Sequence, residues 1–439
     1  MANRYWVSGG TGNWNSTTNW SAASGGARNA TVPSTNDVAI FDGSSGSGTC
    51  TINISPTIQS LNATGFSGSI TCNNTLTITT NGGFTVNTGG GFGGSGTVNL
   101  TYTGSAATVA INDINTSSYV NFNFTGGTYA LRISGYFNNV NFTGFSGSIS
   151  SSSAFSAMTI FGNLTFSTGM TTPIVLPSSG PITFSGSATK LFTSNGKTVS
   201  GAASATSAII IDQASGTVQL QDAASATTFY LQAGTLDLNG KTLTASTTFS
   251  GGGGTANLTF NGGTIVCSGS GNAWNGPNAN SNWTTTAGTG TGKISLTSAS
   301  AKTFTGGSLS GGNSKVYNCT LSNDGAGAVS IFNTNTFTTL ANGVQPTSFL
   351  FTAATTTTVT NWNINGTAGN LVTIGSRTSA SHTLSKASGI VNADYLSISY
   401  STATGGAVWN PGLNSVDGGN NSGWLFPSAA ATGNFFFMF

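Results

Sequence analysis

The chain has 439 residues, of which 5% are charged and 63 are glycine, and its formal net charge is +2 at pH 7. In ordinary soluble domains about a quarter of the residues are charged. Long exposed helices depend on Glu, Lys and Arg for solubility and for side-chain pairing, so the composition argues against such helices. It also argues against nucleic acid or an anionic membrane surface as a partner, because there is no basic stripe.

No segment has the length of apolar sequence that a membrane-spanning helix needs, and we expect no membrane insertion. The start, Met1 to Gly10, shows neither the basic nor the apolar region of a secretory signal. The chain is therefore expected to be either a mature fragment or a protein that is assembled in the cytoplasm and released by lysis, and the initiator Met favours lysis.

Short runs that alternate apolar and polar residues predict half-buried strands. In chain order they are Thr49–Ile54, Thr75–Ile78, Thr97–Tyr102, Val120–Phe124, Leu164–Phe166 and Thr235–Leu238. Pairs such as Asn239-Gly240 and Asn261-Gly262 follow these runs and predict turns with positive φ. No segment carries a helical period, so the predicted fold class is all-β.

An internal repeat points to the architecture. The sequence TGFSGSI occurs at residues 64–70 and again at 143–149, and looser copies recur at unequal offsets. Unequal offsets favour a parallel β-helix, whose coils tolerate corner loops of different length, over a propeller, whose blades must close a ring. We predict a right-handed parallel β-helix with roughly 20 to 25 residues per coil, and with outer rows of Thr and Asn that hydrogen-bond between coils.

Both ends differ from the middle in composition. We predict an aromatic N-terminal cap or attachment segment at 1–45, a solenoid at 46–390, an aromatic C-terminal cap at 391–427 and an apolar tail at 428–439. The tail ends in Phe435, Phe436, Phe437, Met438 and Phe439. An apolar pentapeptide on a polar tether is expected to insert into a groove on a partner or a neighbouring subunit.

Two segments carry a family resemblance. The opening RYWVSGGTGNWN at residues 4–15, followed by Asn19-Trp20-Ser21, Val32-Pro33, Asp37 and Phe41-Asp42, resembles the start of glycine-rich virion proteins of tailed phages. Similar starts occur at repeat boundaries of autotransporter-like β-helix adhesins. Residues 394–426, which end in GGNNSGWLF, resemble the closing region of the same phage-encoded group. The resemblance implies a tail fibre, spike or capsid appendage that binds other virion proteins, and analogy with fibrous viral β-proteins favours a homotrimer.

Candidate catalytic residues are few. His382 is the single histidine and lies in a polar segment, which leaves no choice of base for a nucleophilic system. The weak candidates Asp212, Asp222 and Asp237 could approach on adjacent coils, as the carboxylates of polysaccharide-cleaving β-helices do. The competing interpretation places Asp212 and Asp222 in turns and Asp237 on an outward face. We expect no enzyme activity.

Metal and cofactor motifs are equally sparse. Asp37 and Asp42 flank a short predicted strand and could join carbonyls around Ca²⁺, yet no Asp-x-Asp-x-Asp-Gly pattern is present, and we predict no metal. The glycine-rich runs 89–94 and 251–254 do not lead into a phosphate loop, so no cofactor is predicted. The four cysteines are predicted to be reduced and buried, with a Cys50–Cys72 pair on neighbouring coils as the alternative.

Three tryptophans outside the predicted caps lie beside Asn and Gly: Trp274, Trp283 and Trp362. An exposed indole next to Asn suits stacking on a sugar ring, whereas a buried indole packs over a coil. Taken together, we expect a projecting virion component that attaches to host-surface glycans. A β-helical polysaccharide depolymerase and a bacterial surface adhesin are the alternatives.

Overall fold

The computed structural model describes residues 2–79, 83–87, 90–101, 110–111, 119–133, 135–149, 157–176, 180–201, 208–276, 283–306 and 315–427. The fold is all-β, with parallel stacked coils that form a β-solenoid of about 14 turns. This confirms the predicted fold class. Handedness stays a prediction. Within the described ranges, no helix has the length and apolar character needed to cross a membrane.

The described residues form two compact units. The first contains those up to Ile265 together with 283–284 and 288–290, and the second contains the rest. The division falls inside the segment 46–390 that the sequence predicts as one solenoid, and the predicted cap boundaries stay predictions.

The first unit is built from short strands and one 3₁₀ turn, Thr17–Asn19. The strands are β1 (Asn3–Trp6), β2 (Gly12–Asn13), β3 (Trp20–Ser21), β4 (Val38–Ile40), β5 (Thr49–Ile52), β6 (Thr57–Ile58), β7 (Ser60–Thr64), β8 (Ser69–Cys72), β9 (Thr75–Ile78), β10 (Phe84–Asn87), β11 (Phe92–Gly93), β12 (Thr97–Leu100), β13 (Ala110–Ile111), β14 (Asn121–Phe124), β15 (Ala130–Ile133), β16 (Gly135–Phe137), β17 (Val140–Asn141), β18 (Ser148–Ile149), β19 (Met158–Ile160), β20 (Leu164–Thr165), β21 (Ile174–Val175), β22 (Ile182–Gly186), β23 (Lys190–Thr193), β24 (Thr198–Ser200), β25 (Ile209–Leu220), β26 (Ala224–Asp237), β27 (Thr242–Gly251) and β28 (Ala256–Thr259).

Two strands hold residues of both units, β29 (Thr264–Cys267) and β31 (Trp283–Thr286). The second unit contains β30 (Gly271–Asn275), β32 (Gly292–Leu296), β33 (Lys302–Thr305), β34 (Lys315–Asn323), β35 (Val329–Phe332), β36 (Asn335–Asn342), β37 (Thr347–Phe351), β38 (Thr356–Asn363), β39 (Val372–Ser376), β40 (His382–Ser385), β41 (Ile390–Asn392), β42 (Leu396–Ile398), β43 (Ser401–Thr404), β44 (Val408–Asn410) and β45 (Val416–Asp417).

Successive coils place their strands in three parallel sheets at the start of the chain. Strands β4, β5 and β6 of one coil are followed by β7, β8 and β9 of the next and by β10, β11 and β12 of a third. Each pairs in parallel with its equivalent, so backbone N–H and C=O groups are satisfied without helices.

The interior is a thin apolar layer with phenylalanines stacked from coil to coil. Phe122 lies 5.9 Å from Phe84 and 5.4 Å from Phe137, between ring centroids. Phe166 continues this ladder at 5.9 Å from both Phe142 and Phe192. Most of these rings occupy buried positions of strands in which buried and partly exposed residues alternate, as in β14, whereas Phe142 and Phe166 directly follow β17 and β20. The alternation read from the sequence therefore separates core from surface.

Polar side chains on the outer face bridge neighbouring coils, as predicted. Asn123 donates to the side chain of Asn99 at 3.0 Å, 24 residues earlier, and Thr49 bonds Ser69 at 2.8 Å, 20 residues later. These separations agree with the predicted coil length. Hydrogen-bonded rows of this kind hold coils together without ion pairs.

The two TGFSGSI copies share a buried phenylalanine and a glycine that touches the preceding coil, but they differ at the first glycine, where Gly65 has a φ of 81° and Gly144 lies in a turn without positive φ. Phe66 and Phe145 are both buried. A Cβ on Gly68 would meet the Gly48 carbonyl oxygen at 2.1 Å, and one on Gly147 would meet the Tyr129 carbonyl oxygen at 2.0 Å. The repeat therefore requires glycine because its backbone touches the preceding coil. The Asn-Gly turns are also confirmed, with φ of 49° at Asn239 and 72° at Gly240.

All four cysteines are buried and form no disulfide: Cys50, Cys72, Cys267 and Cys319. Cys50 and Cys72 lie on the paired strands β5 and β8, where Cys50 faces Ile70 and Cys72 faces Ile52. Burial raises the pKa of the Cys72 thiol to about 12, although hydrogen bonds from its surroundings act in the opposite direction. The interpretation of the cysteines as buried apolar residues is confirmed.

Candidate functional site

Two of the three acidic candidates, Asp222 and Asp237, accept structural hydrogen bonds. Asp222 accepts the backbone N–H groups of Ser194 at 2.7 Å and Asn195 at 2.5 Å. Asp237 accepts the side-chain amides of Gln219 at 2.9 Å and Asn261 at 2.8 Å. These donors belong to turns and strands of adjacent coils, so each carboxylate joins one coil to the next.

Asp237 follows the buried core residue Leu236 in β26, so its side chain lies on the other face of the strand, as the predicted outward orientation requires. Asp237 is buried at the end of β26, because the amide side chains from neighbouring coils cover its carboxylate. The turn predicted at Asp212 is wrong, because Asp212 lies within β25, where it is exposed and pairs with Ser185 and Ala233 in the sheet. No contact joins Asp212 to Asp222 or Asp237 among the hydrogen bonds of the described residues. Glycan cleavage needs two neighbouring carboxyl groups that act as general acid and general base. Asp212, Asp222 and Asp237 do not form such a pair in this arrangement.

His382 begins β40 and is buried against the ring of Phe351, with centroids 4.7 Å apart and an interplanar angle of 24°. Neither ring nitrogen has a hydrogen-bond partner in the structure. Burial lowers the pKa of His382 to about 4, and the nearby backbone of Tyr400 opposes this shift. A catalytic base needs contact with the proton it removes, so this neutral, stacked imidazole serves packing.

Asp37 and Asp42 organise turns in the first unit. Asp37 accepts N–H groups from Ser34 at 3.0 Å and Ala2 at 3.2 Å. Burial alone would raise the pKa of Asp37, but these hydrogen bonds and the charge of Arg4 hold it below its ordinary value. Asp42 accepts the N–H of Ser44 at 2.9 Å. Within the described ranges, no group of three or more acidic, His or Cys side chains could hold a metal ion.

The three tryptophans considered for glycan contact are packed inside the protein. Trp274 is fully buried and stacks on Phe304 at 5.5 Å. Trp283 is buried, and Trp362 packs edge-on against Trp409 at 5.6 Å. Their ring faces are covered by side chains, so a sugar ring has no access to them here. Of the two interpretations given for these tryptophans, the structure agrees with the one in which a buried indole packs over a coil.

Buried lysines are a feature that the sequence does not reveal. The Lys302 Nζ donates to the carbonyl oxygens of Ser298 at 2.8 Å and Gly327 at 2.7 Å, and Lys190 donates to the Gln213 side chain at 2.7 Å. Burial lowers the pKa of Lys302 to about 8, although the charge of Asp324 favours the protonated form. Such lysines fill corners of the coil where backbone carbonyls converge.

A groove of about 450 Å³ lies on the first unit, and we call it the hydroxyl groove. It forms where β25 bulges away from its pairing with β26 between Asp212 and Thr217. Thr284 in its wall donates to Asn257 at 2.9 Å. The lining residues are small or carry hydroxyl and amide groups: Ala214, Ser215, Gly234, Thr235, Thr255, Ala256, Asn257 and Thr284. Groups of this kind can hydrogen-bond sugar hydroxyls.

A second groove of about 460 Å³ lies on the second unit, and we call it the apolar groove. Its lining residues belong to the last coils of the described chain: Ile390, Asn392, Val408, Asn410, Gly412, Leu413, Leu425 and Pro427. The predicted partner-binding residues Phe435–Phe439 lie outside the described residues. Sequence reasoning missed both grooves, because each is assembled from residues on different coils.

Comparisons with protein-family models, with curated proteins and with solved structures found no match to this chain.

Proposed function

We propose that this chain is a non-enzymatic structural protein of a tailed phage particle, a projecting fibre, spike or capsid appendage. The observation that carries the proposal is the β-solenoid, in which strands of successive coils pair in parallel within each unit, as β4, β7 and β10 do in the first unit and β35, β37 and β39 do in the second. An elongating stack of this type suits a part that must project and stay rigid. The phage-like segments at residues 4–42 and 394–426 support the virion assignment.

The non-enzymatic part of the proposal is supported by the acidic side chains. Asp222 and Asp237 use their carboxylate oxygens to accept hydrogen bonds from adjacent coils. A carboxylate that is saturated by fixed donors is poorly placed to exchange protons with a substrate. These residues stabilise the stack.

The particle itself provides the test. Antibodies raised against the recombinant chain, together with mass spectrometry of purified particles, should detect the chain at a fixed copy number, and electron microscopy should place it on the capsid or tail. Particles that never contain the chain would exclude the virion role. Release of reducing ends from host capsule or lipopolysaccharide by the purified protein would favour the depolymerase alternative.

We further propose that the hydroxyl groove attaches the particle to the host surface. Its hydroxyl and amide groups fit a host-surface glycan, and Ser215 lies at its exposed edge. The change Ser215→Trp should fill the groove and abolish binding to host-derived polysaccharide in a pull-down assay. Ser24→Trp, at another exposed serine of the same unit, should bind like the unchanged chain. Equal binding by both variants would exclude the groove as the glycan site.

A further inference from the structure

The last described coils expose an unusual concentration of large apolar side chains. Leu413 is 82% exposed, Ile390 is 61% exposed and Leu425 is 60% exposed. Val408 and Val416 are exposed as well. Scattered single apolar residues are common on protein surfaces, but a contiguous apolar patch marks an interaction surface.

The apolar groove collects most of these side chains on one face. Ile390 on β41 stands directly beside Val408 on β44 in the parallel register. The backbone N–H of Leu425 donates to the Trp409 carbonyl oxygen at 2.8 Å, which fixes Leu425 on the next coil. A cavity of about 150 Å³ with apolar walls accommodates benzene. The groove, at about 460 Å³, therefore has room for more than one phenyl ring.

The path of the chain indicates what covers this groove. Pro427 is the last described residue and is itself part of the groove lining. Residues 428–434 are a spacer of Ser, Ala, Thr, Gly and Asn, and Phe435–Phe439 follow as the longest unbroken run of apolar residues in the sequence. Seven extended residues span up to about 25 Å, which is enough for the chain to turn back to a groove that begins at Pro427.

We infer that the C-terminal segment Phe435–Phe439 binds in the apolar groove of its own chain. The sequence predicts that this segment inserts into a groove on a partner or a neighbouring subunit. The apolar groove of the same chain lies where the spacer 428–434 begins. Because the spacer is short, the effective concentration of Phe435–Phe439 at the groove of the same chain is in the millimolar range. This is above the concentration that a second copy of the chain reaches in dilute solution. The inference does not depend on the proposed function.

Photochemical cross-linking of the full chain tests this inference. The change Phe437→p-benzoylphenylalanine places a photoreactive ring in the tail. After irradiation, peptide mapping should join position 437 to peptides that contain Leu413 or Leu425, and the product should migrate as a monomer on a denaturing gel. Cross-links between two chains would show that a second copy is the occupant. Cross-links to other surfaces, or none, would also overturn the inference.

A matched pair of variants separates groove binding from nonspecific contact. In the same photoreactive chain, Leu413→Asp should lower the cross-link yield about tenfold, because a charged group opposes burial of a phenyl ring. Leu413 is 82% exposed, so this change leaves the fold intact. Val316→Asp, at a residue of the same unit that is 51% exposed and lies outside the groove, should leave the yield unchanged. An equal effect of both changes would overturn the inference.

Discussion

The two ends of the described chain treat their apolar residues in opposite ways. At the start, Trp6, Trp14 and Trp20 are fully buried around Phe41, with ring centroids 4.8 to 6.2 Å apart. Strand β3 pairs antiparallel with β1, on the side opposite to the parallel partner β4. At the other end, Leu413, Val416 and Leu425 remain exposed.

The difference shows how a solenoid end can be finished. An open strand edge is a template for further pairing, and the chain reversal at β3 covers that edge of β1 with its own backbone. The last coils also bury an indole cluster of Trp362, Trp409 and Trp424. They nevertheless leave an apolar surface around it, which the inferred binding of Phe435–Phe439 would cover.

The largest expected effect comes from removing an indole of the N-terminal cluster. Trp20 packs against three aromatic rings, and its Nε1 donates to the Trp14 carbonyl oxygen at 2.8 Å. Trp20→Ala should lower the free energy of unfolding by about 3–5 kcal/mol, measured by urea denaturation. Trp20→Phe, which keeps a ring in the site, should cost clearly less. Equal costs for the two changes would contradict the packing role.

Acid should weaken the second unit before it weakens the N-terminal end. The pKa of His382 is about 4 in the folded chain and 6.5 in the unfolded reference, so the unfolded chain binds more protons between these values. Stability is therefore complete above pH 6.5 and falls as the pH decreases toward 4, by about 3 kcal/mol in total. Urea denaturation at several pH values measures this loss. His382→Leu should remove the dependence in that window, and an unchanged slope would contradict the assignment.

Asp37 supplies the matching test at the N-terminal end. Its pKa is held below the ordinary 3.8, so its contribution to stability is present above pH 3.8 and is lost as the pH falls through the folded value. Asp37→Asn should cost about 1–3 kcal/mol at neutral pH, because one amide group cannot accept at both positions. Thermal unfolding monitored by circular dichroism measures this cost. A gain in stability would show that the burial of the charge outweighs its hydrogen bonds.

The sequence predicts the strands well because alternation and turn residues are local signals. Thr75–Ile78 forms β9 with the predicted ends, and both TGFSGSI copies place a glycine, Gly68 or Gly147, against the preceding coil. The environment of Asp237 was not predictable in this way, because its donors, Gln219 and Asn261, come from other coils. The burial of Trp274 against Phe304 likewise depends on which residues the coil register brings together.

Candidate binding sites are the features that the sequence predicts least well, because their residues come from different coils. A groove between coils is formed by residues that are about 20 positions apart, such as Ile390 and Val408, and loops of unequal length set their register. Local patterns identify exposed positions on each strand, but they do not say which exposed side chains become neighbours. The apolar tail was recognisable from sequence alone because all of its residues are consecutive.

The smallest expected effect completes the comparison of the two ends. Leu413 is 82% exposed, so Leu413→Ser removes little packing within the coil itself and should change the free energy of unfolding by less than about 1 kcal/mol. The same urea denaturation used for Trp20→Ala measures it, with Val316→Ser as the reference for an exposed residue of the same unit. A tail bound in the groove by a few weak contacts is consistent with a small loss relative to that reference. A loss as large as that of Trp20→Ala would instead mean that the C-terminal end is closed as tightly as the N-terminal end, with Leu413 inside a cluster that belongs to the core.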